Sequence, residues 1–389
     1  MASRLVVALA ITASVAIAGS GAAPGAAASP AVIPSFADIA CPSATSCFAV
    51  GLKVSGNSDK FSSLVEHWNG TSWAIMPSPN AKADGALWDV TCPTTTSCLA
   101  VGESRRSAGA SDRAFAMRWN RATWSVVESP SPAGSKYSGL FSVSCANPTL
   151  CFAVGNYNST VGGALRPLIE RWNGTGWSIV KSPTLRSGQT FTLAGVSCPN
   201  AKRCFAVGGA EDSAFPGAVV AAWSGTTWSA ADLGVSNFGA FTSVSCTSPS
   251  SCFAVGTEIG GSADLKTVVE RWNGTHWTRV PSPNLSQGYE NMLADVTCTS
   301  PRSCLAVGRV SLAHPNPLYT YALRWDGKVW SQTKSLSPHP ENNGLDGVAC
   351  STPTNCFAVG FSDNPAELAP IERWDGRSWS LSAHPDPKS

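Results

Sequence analysis

Charge is scarce in this chain. Asp, Glu, Lys and Arg make up 13% of its 389 residues, against about 25% in an ordinary soluble protein, and the formal net charge is +2. A basic stripe for nucleic acid is therefore excluded, as is an acidic solvating tail. Histidine is equally thin, with five residues that follow no repeat (His67, His276, His314, His339, His384). Zinc sites need C-x2-4-C knuckles or nearby histidines, so neither a metal nor another cofactor is expected. C-x-x-C is absent, and so are a nucleophile elbow and a phosphate loop. No apolar run reaches the ~20 residues that a membrane-crossing helix needs. What the chain does have is 35 Gly, 15 Trp, 14 Cys and a 43% hydrophobic share. That is ample for a packed core and argues against disorder.

The first thirty residues, MASRLVVALAITASVAIAGSGAAPGAAASP, read as a secretory leader. Arg4 is the positive n-region, Leu5 to Ala18 the apolar stretch and Ala26-Ala27-Ala28 the small-residue cut. The expectation is a signal peptide over 1–28 and a secreted domain over 29–389, with no membrane insertion and no lipid anchor.

The cysteines fall into seven C-x5-C pairs: Cys41 with Cys47, Cys92 with Cys98, Cys145 with Cys151, Cys198 with Cys204, Cys246 with Cys252, Cys298 with Cys304, and Cys350 with Cys356. In an exported chain these read as disulfides. Each closes a short loop and contributes about 2 kcal/mol in the chain-entropy picture.

Successive first cysteines lie 48 to 53 residues apart, a period that signals stacked or circular units. Aligned on their cysteines, the seven copies cover about 36–79, 87–130, 140–183, 193–233, 241–283, 293–336 and 345–384. Each has a β-branched strand before the first Cys, then CFAVG or CLAVG, a variable polar stretch, and a third strand ending in Trp. A short turn and a second Trp follow, as in ERWNGTGW (170–177). Asn-Gly between such runs predicts a two-residue type I′ hairpin. Trp172 would then face Thr175, with Trp177 as its diagonal neighbour on the same face. WNRATW, with Arg121 in place of Gly, predicts a different turn in the second copy. A four-stranded sheet with a double-Trp face cannot bury that face alone. Full patterns in the first and last copies leave no capping repeat, so the expectation is a closed ring: an all-β, seven-bladed β-propeller with four antiparallel strands and one disulfide per blade.

The order V-x-C…CFAVG…ERWNGTxWSxV-x-SP resembles kelch repeats over about Phe36 to Ser380. The resemblance implies that the first strand lines the central channel and the fourth is outermost. Some kelch-like propellers are copper radical oxidases, which need Tyr, His and a free Cys at the metal. Here every Cys has a repeat partner.

In such blades the disulfide loops and Trp turns share one side and are nearly uniform. The loops joining strands two and three, and each blade to the next, lie opposite and vary freely, as recognition requires. On that side Trp88, Tyr157, Phe215, Tyr289 and Tyr319 are binding candidates, with Arg105 and Arg106 read as solvated loop. Trp88 is the one Trp outside the repeated pairs; it could stack on a ligand or fill a gap between blades. Glu66, Glu170, Glu270 and Glu372, with Arg118, Arg171, Arg271, Arg324 and Arg373, recur around the ring and read as packing residues, the arginines stacking on a neighbour's indole. The functional expectation is a secreted, monomeric, non-catalytic binding protein that recognises a glycan or a protein. The alternative is a carbohydrate-active hydrolase or lyase using two loop carboxylates, drawn from Asp112, Glu211, Asp212, Asp264, Glu290, Glu341 and Asp363.

Overall fold

A computed structural model describes residues 32–55, 61–79, 84–105, 112–185, 189–210, 217–233, 239–260, 264–285, 290–312, 317–338, 342–362 and 368–386. The expected leader lies outside them. Within them are twenty-eight strands and no helix. Each blade takes four strands consecutive in the chain. Blade three is Tyr137–Asn147, Leu150–Asn158, Arg166–Trp172 and Trp177–Val180, each antiparallel to the one before. The seven blades form a β-propeller.

All seven C-x5-C pairs are disulfides that join the first and second strands of a blade, as the spacing predicts. Cys41 is bonded to Cys47, Cys92 to Cys98, Cys145 to Cys151 and Cys198 to Cys204. Cys246 is bonded to Cys252, Cys298 to Cys304 and Cys350 to Cys356. The second cysteine of each pair is the deeper one. Cys47, Cys98, Cys151, Cys204, Cys252, Cys304 and Cys356 are all buried at the start of the second strand. There each stands opposite the first Trp of the third strand, as Cys151 does with Trp172.

The core is divided into seven clusters, one at each seam between blades. Every seam is built alike. The Phe or Leu of C-[FL]-A-V-G enters the paired indoles of the following blade. Phe152 meets Trp223 and Trp228 at 5.0 and 5.2 Å between ring centroids. Leu99 does the same for Trp172 and Trp177, and Leu305 for Trp374 and Trp379. Phe357 of blade seven reaches Trp68 and Trp73 of blade one at 5.3 Å each, so the ring is closed by the same contact. Guanidinium groups cover several seams, as with Arg118 over Trp172, Arg271 over Trp325 and Arg373 over Trp68. Edge-to-face rings at these distances gain about 1 kcal/mol beyond their burial. Single backbone bridges add to two seams, Ser35 with Phe361 and Leu265 with Glu290.

The Trp turns differ from expectation. Trp172 pairs directly with Trp177 across the ladder, and four residues connect them. Asn173 supplies the reason. Its Oδ1 accepts the amides of Thr175 and Gly176, each at 2.9 Å, so the side chain closes the loop in place of a tight backbone turn. Asp326 and Asp375 act likewise, and Ser224 serves more weakly. The second copy keeps this turn rather than adopting another. Asn120 Oδ1 accepts from Ala122 and Thr123, while Arg121 takes φ 82°, the left-handed conformation that Gly holds elsewhere.

Candidate functional site

The central mouth is built by a bulge that every blade repeats. In each first strand the register slips by one residue, at Ala37, Trp88, Phe141, Ala194, Thr242, Ala294 and Asp346. A bulge re-aims the extra side chain out of the sheet, here toward the ring axis. The glycine of A-V-G makes it possible. A Cβ on Gly155 would stand 2.0 Å from the Gly139 carbonyl oxygen, and its counterparts face the same carbonyl approach. That glycine therefore does not end the second strand, which runs on to Asn158.

Behind the bulge sits a ring of short side chains: Asp38, Asp89, Ser142, Gly195, Ser243, Asp295 and Gly347. Where an oxygen is present it holds the next blade. Val90 N–H donates to Asp38 (3.1 Å), Val143 to Asp89 (2.7 Å), Val196 to Ser142 (3.1 Å) and Val348 to Asp295 (2.8 Å). The Ser243 hydroxyl donates to Asp295 at 2.6 Å. Where glycine stands, the neighbouring backbone takes up the space, Ser243 against Gly195 and Asp38 against Gly347.

These two layers line an open cavity of about 120 Å³ on the axis, walled by Trp88, Phe141, Thr242, Asp346 and Arg309. Its acid side chains are half-buried around it. Burial pushes Asp38 well above the ordinary carboxyl range, and the negative charge and hydrogen bond of neighbouring Asp89 push it further. Burial also raises Asp89, and lifts Asp295 and Asp346 to about 6. Arg309 stands 3.7 Å from Asp346 and opposes part of that rise. The Trp88 indole N–H is buried with no hydrogen-bond partner.

A further acid, Glu103, lies beside Phe141 at the edge of the mouth. Tyr137 donates to Glu103 Oε2 at 2.9 Å, and burial lifts Glu103 to about 7 against the pull of that bond. The Tyr137 hydroxyl, the Glu103 carboxylate and the Phe141 ring crowd the backbone of Gly139, all within 3.3 Å of where a Cβ would stand.

A larger groove, about 720 Å³, crosses the variable-loop end of blade three, from Pro132 to Phe191. Tyr157 lies in it and pairs across the ladder with Arg166.

The sequence candidates are thus dispersed. Trp88 lines the axial cavity and Tyr157 the groove. Tyr319 packs against the cluster between blades five and six. Arg105 is less free than a solvated loop implies: it pairs with Asp112 at 2.9 Å and lies over the Phe61 ring. Arg106, Phe215 and Tyr289 fall outside the described residues, as do Glu211, Asp212, Glu341 and Asp363. The axial acids and the Glu103–Tyr137 pair escape a reading of the sequence. The Asp or Ser three places before the first Cys in five of the seven copies is the available signal for the former. Among the described residues no three His, Cys, Asp or Glu side chains gather as a metal site requires.

No protein-family model matches the chain, and no curated protein matches it. Solved structures do. "YCF48 bound to D1 peptide" aligns with TM-score 0.53 and 13% identity over 92% of this chain and 94% of that one. A PL25 ulvan lyase bound to -[GlcA(1-4)Rha3S]- aligns with TM-score 0.55 and 10% identity over 92% and 95%. The GH74 xyloglucanase of Xanthomonas campestris aligns with TM-score 0.55 and 11% identity, over 91% of this chain and 54% of its own. At such identities the likeness is one of fold, and the chain is a seven-bladed β-propeller with one disulfide in each blade.

Proposed function

We propose that this is an exported binding protein that holds a glycan or protein partner on the variable-loop face, anchored at the axial mouth. One observation carries the reading. Seven identical bulges aim seven side chains at a single point, and those side chains differ: three alanines, Trp88, Phe141, Thr242 and Asp346. The opposite face repeats one turn and one disulfide loop seven times. Asymmetry on a rigid symmetric scaffold is what recognition needs. Seven disulfides suit folding in an oxidising compartment, in keeping with removal of residues 1–28 on export. A kelch-like origin for the repeat and a monomeric state belong to the same reading.

The test is a glycan-array and protein pull-down screen with the chain from residue 29, followed by titration of variants. Trp88→Ala weakens the selected partner by about tenfold or more, the scale of a lost aromatic anchor. Thr175→Ala, on the opposite face, leaves affinity unchanged. Equal affinity for wild type and Trp88→Ala would sink the assignment of the mouth.

The Glu103–Tyr137 pair favours a second reading, a carbohydrate-active enzyme, because a carboxyl near 7 can exchange protons at neutral pH. New reducing ends released from a polysaccharide, and lost in Glu103→Gln, would replace the binding reading with this one.

A further inference from the structure

The groove on blade three has a chemistry unlike the axial cavity. Its walls carry Tyr157, Arg166, Lys181 and Gln189 among prolines, threonines and apolar side chains such as Leu168, Leu185 and Phe191, and among the described residues no acidic one lines it. In a chain with so few charges, two cations on one groove without an acid is a local excess. Among the described residues neither Arg166 nor Lys181 has an ion-pair partner. On the same face Arg105 is paired with Asp112 and Arg309 with Asp346, while Arg113, among the described residues, bonds only the Ser135 hydroxyl; what sets this groove apart is two cations on one concave surface.

Shape agrees with charge. The volume of about 720 Å³ lies in the ordinary range for small-ligand sites and far exceeds the 120 Å³ on the axis. The groove is held by framework rather than by loop alone. Tyr157 and Arg166 are cross-strand partners, and Ile179, Val180 and Lys181 continue the outer strand, where Val180 pairs with Ile169. The Ser182 hydroxyl donates to the Pro167 carbonyl at 2.8 Å and fixes the segment that forms the far wall. A half-buried phenol ring offers a stacking face, and the two cations stand ready for carboxylate or sulfate groups, Arg166 in a forked geometry.

We infer that this groove binds an anionic saccharide, a short run of uronate or sulfated sugar units, with Tyr157 under a ring and Arg166 and Lys181 on its acid groups. The inference rests on the reading of the variable-loop face as the recognising one, but not on the axial mouth. The probes are polygalacturonate and heparin fragments, with dextran as the neutral control, titrated by calorimetry at two salt concentrations. Wild type binds an anionic probe and not dextran, and affinity falls as salt rises. Arg166→Glu with Lys181→Glu abolishes that binding, and Tyr157→Ala weakens it about tenfold. Thr175→Ala, in a Trp turn on the opposite face, leaves it unchanged, so each loss is read at the groove. Unchanged melting temperature keeps each loss attributable to the site. Failure to bind either anionic probe, equal binding of dextran, or binding that survives the double charge reversal would each overturn the inference. Of these, none touches the proposed role of Trp88, which its own partner titration decides.

Discussion

Arg121 is one of two described non-glycine residues with positive φ, and it occupies a position where six other turns use glycine. A side chain in the left-handed region costs about 1–2 kcal/mol, of which Gly would return part as lost unfolded-state restriction. Arg121→Gly therefore stabilises the protein by about 1 kcal/mol, read as a higher denaturation midpoint at unchanged slope. A lower midpoint would mean that Arg121 makes a contact worth more than its strain. His384 shows the opposite kind of departure. It stands where other copies have the Ser of Ser-Pro, and it bridges two blades: its ring is 3.3 Å from Glu66 and 2.9 Å from the Ala369 carbonyl. In the equivalent seam Ser129 donates to both oxygens of Glu170. At three seams the recurring Glu (Glu66, Glu170 and Glu372) is thus a buried acceptor for the linker of the preceding blade.

At the scale of the strand, the seam depends on one inserted ring. Phe357 is fully buried between Trp68 and Trp73. Phe357→Ala removes that wedge and costs about 3–5 kcal/mol in equilibrium denaturation. Phe357→Leu, which copies the residue at Leu99 and Leu305, costs markedly less. Equal losses from the two would show that ring geometry, not filled volume, holds the seam. These elements also show where sequence reasoning reaches. Strand order, the pairing of each cysteine with the one six places on, and indoles wedged between blades are legible because each repeats seven times. Repetition turns a weak local pattern into a strong one. The turn departs from expectation because Asn-Gly fits two loop lengths, and the choice falls to a side-chain hydrogen bond from Asn173. The bulge is marked only by the odd three-residue spacing of buried pairs such as Leu87 and Val90, which is easily passed over in a single strand. With it go the direction of Trp88 and the depth of Asp38, Asp89 and Asp295. Tyr157 and Arg166 are nine residues apart and become neighbours only through the ladder.

Across the whole molecule, burial pushes many carboxyls the same way. Glu170 and Glu372 rise to about 8, Glu103 to about 7, Asp295 and Asp346 to about 6, and Asp38, Asp89 and Glu270 also rise. Each folded value exceeds the unfolded one, so the folded chain holds these protons more tightly. Their contribution to stability is full below about pH 4 and is lost as pH climbs through about 6 to 8. His67, lowered by burial, works in the other sense below about 6.5. The exposed Asp326 and Asp375, lowered by their turn amides, do so below about 4. The acids outnumber them, and the melting temperature is expected to be several degrees higher near pH ~5 than near pH ~8.5. A profile flat across that range would mean that these carboxyls are solvated.

The closed ring also sets an order of events. Six seams join segments adjacent in the chain, and each can zip as soon as its second blade has emerged. The seventh joins residues such as Trp73 and Ser382, 309 positions apart, and it must wait for nearly the entire polypeptide. Until then Trp68 and Trp73 stand open on one flank and Phe357 on the other, a pair of sticky surfaces that can find each other or the same surfaces on another molecule. Crowding during synthesis is therefore the moment of greatest hazard for this architecture, and the final handshake is where monomer and aggregate part ways.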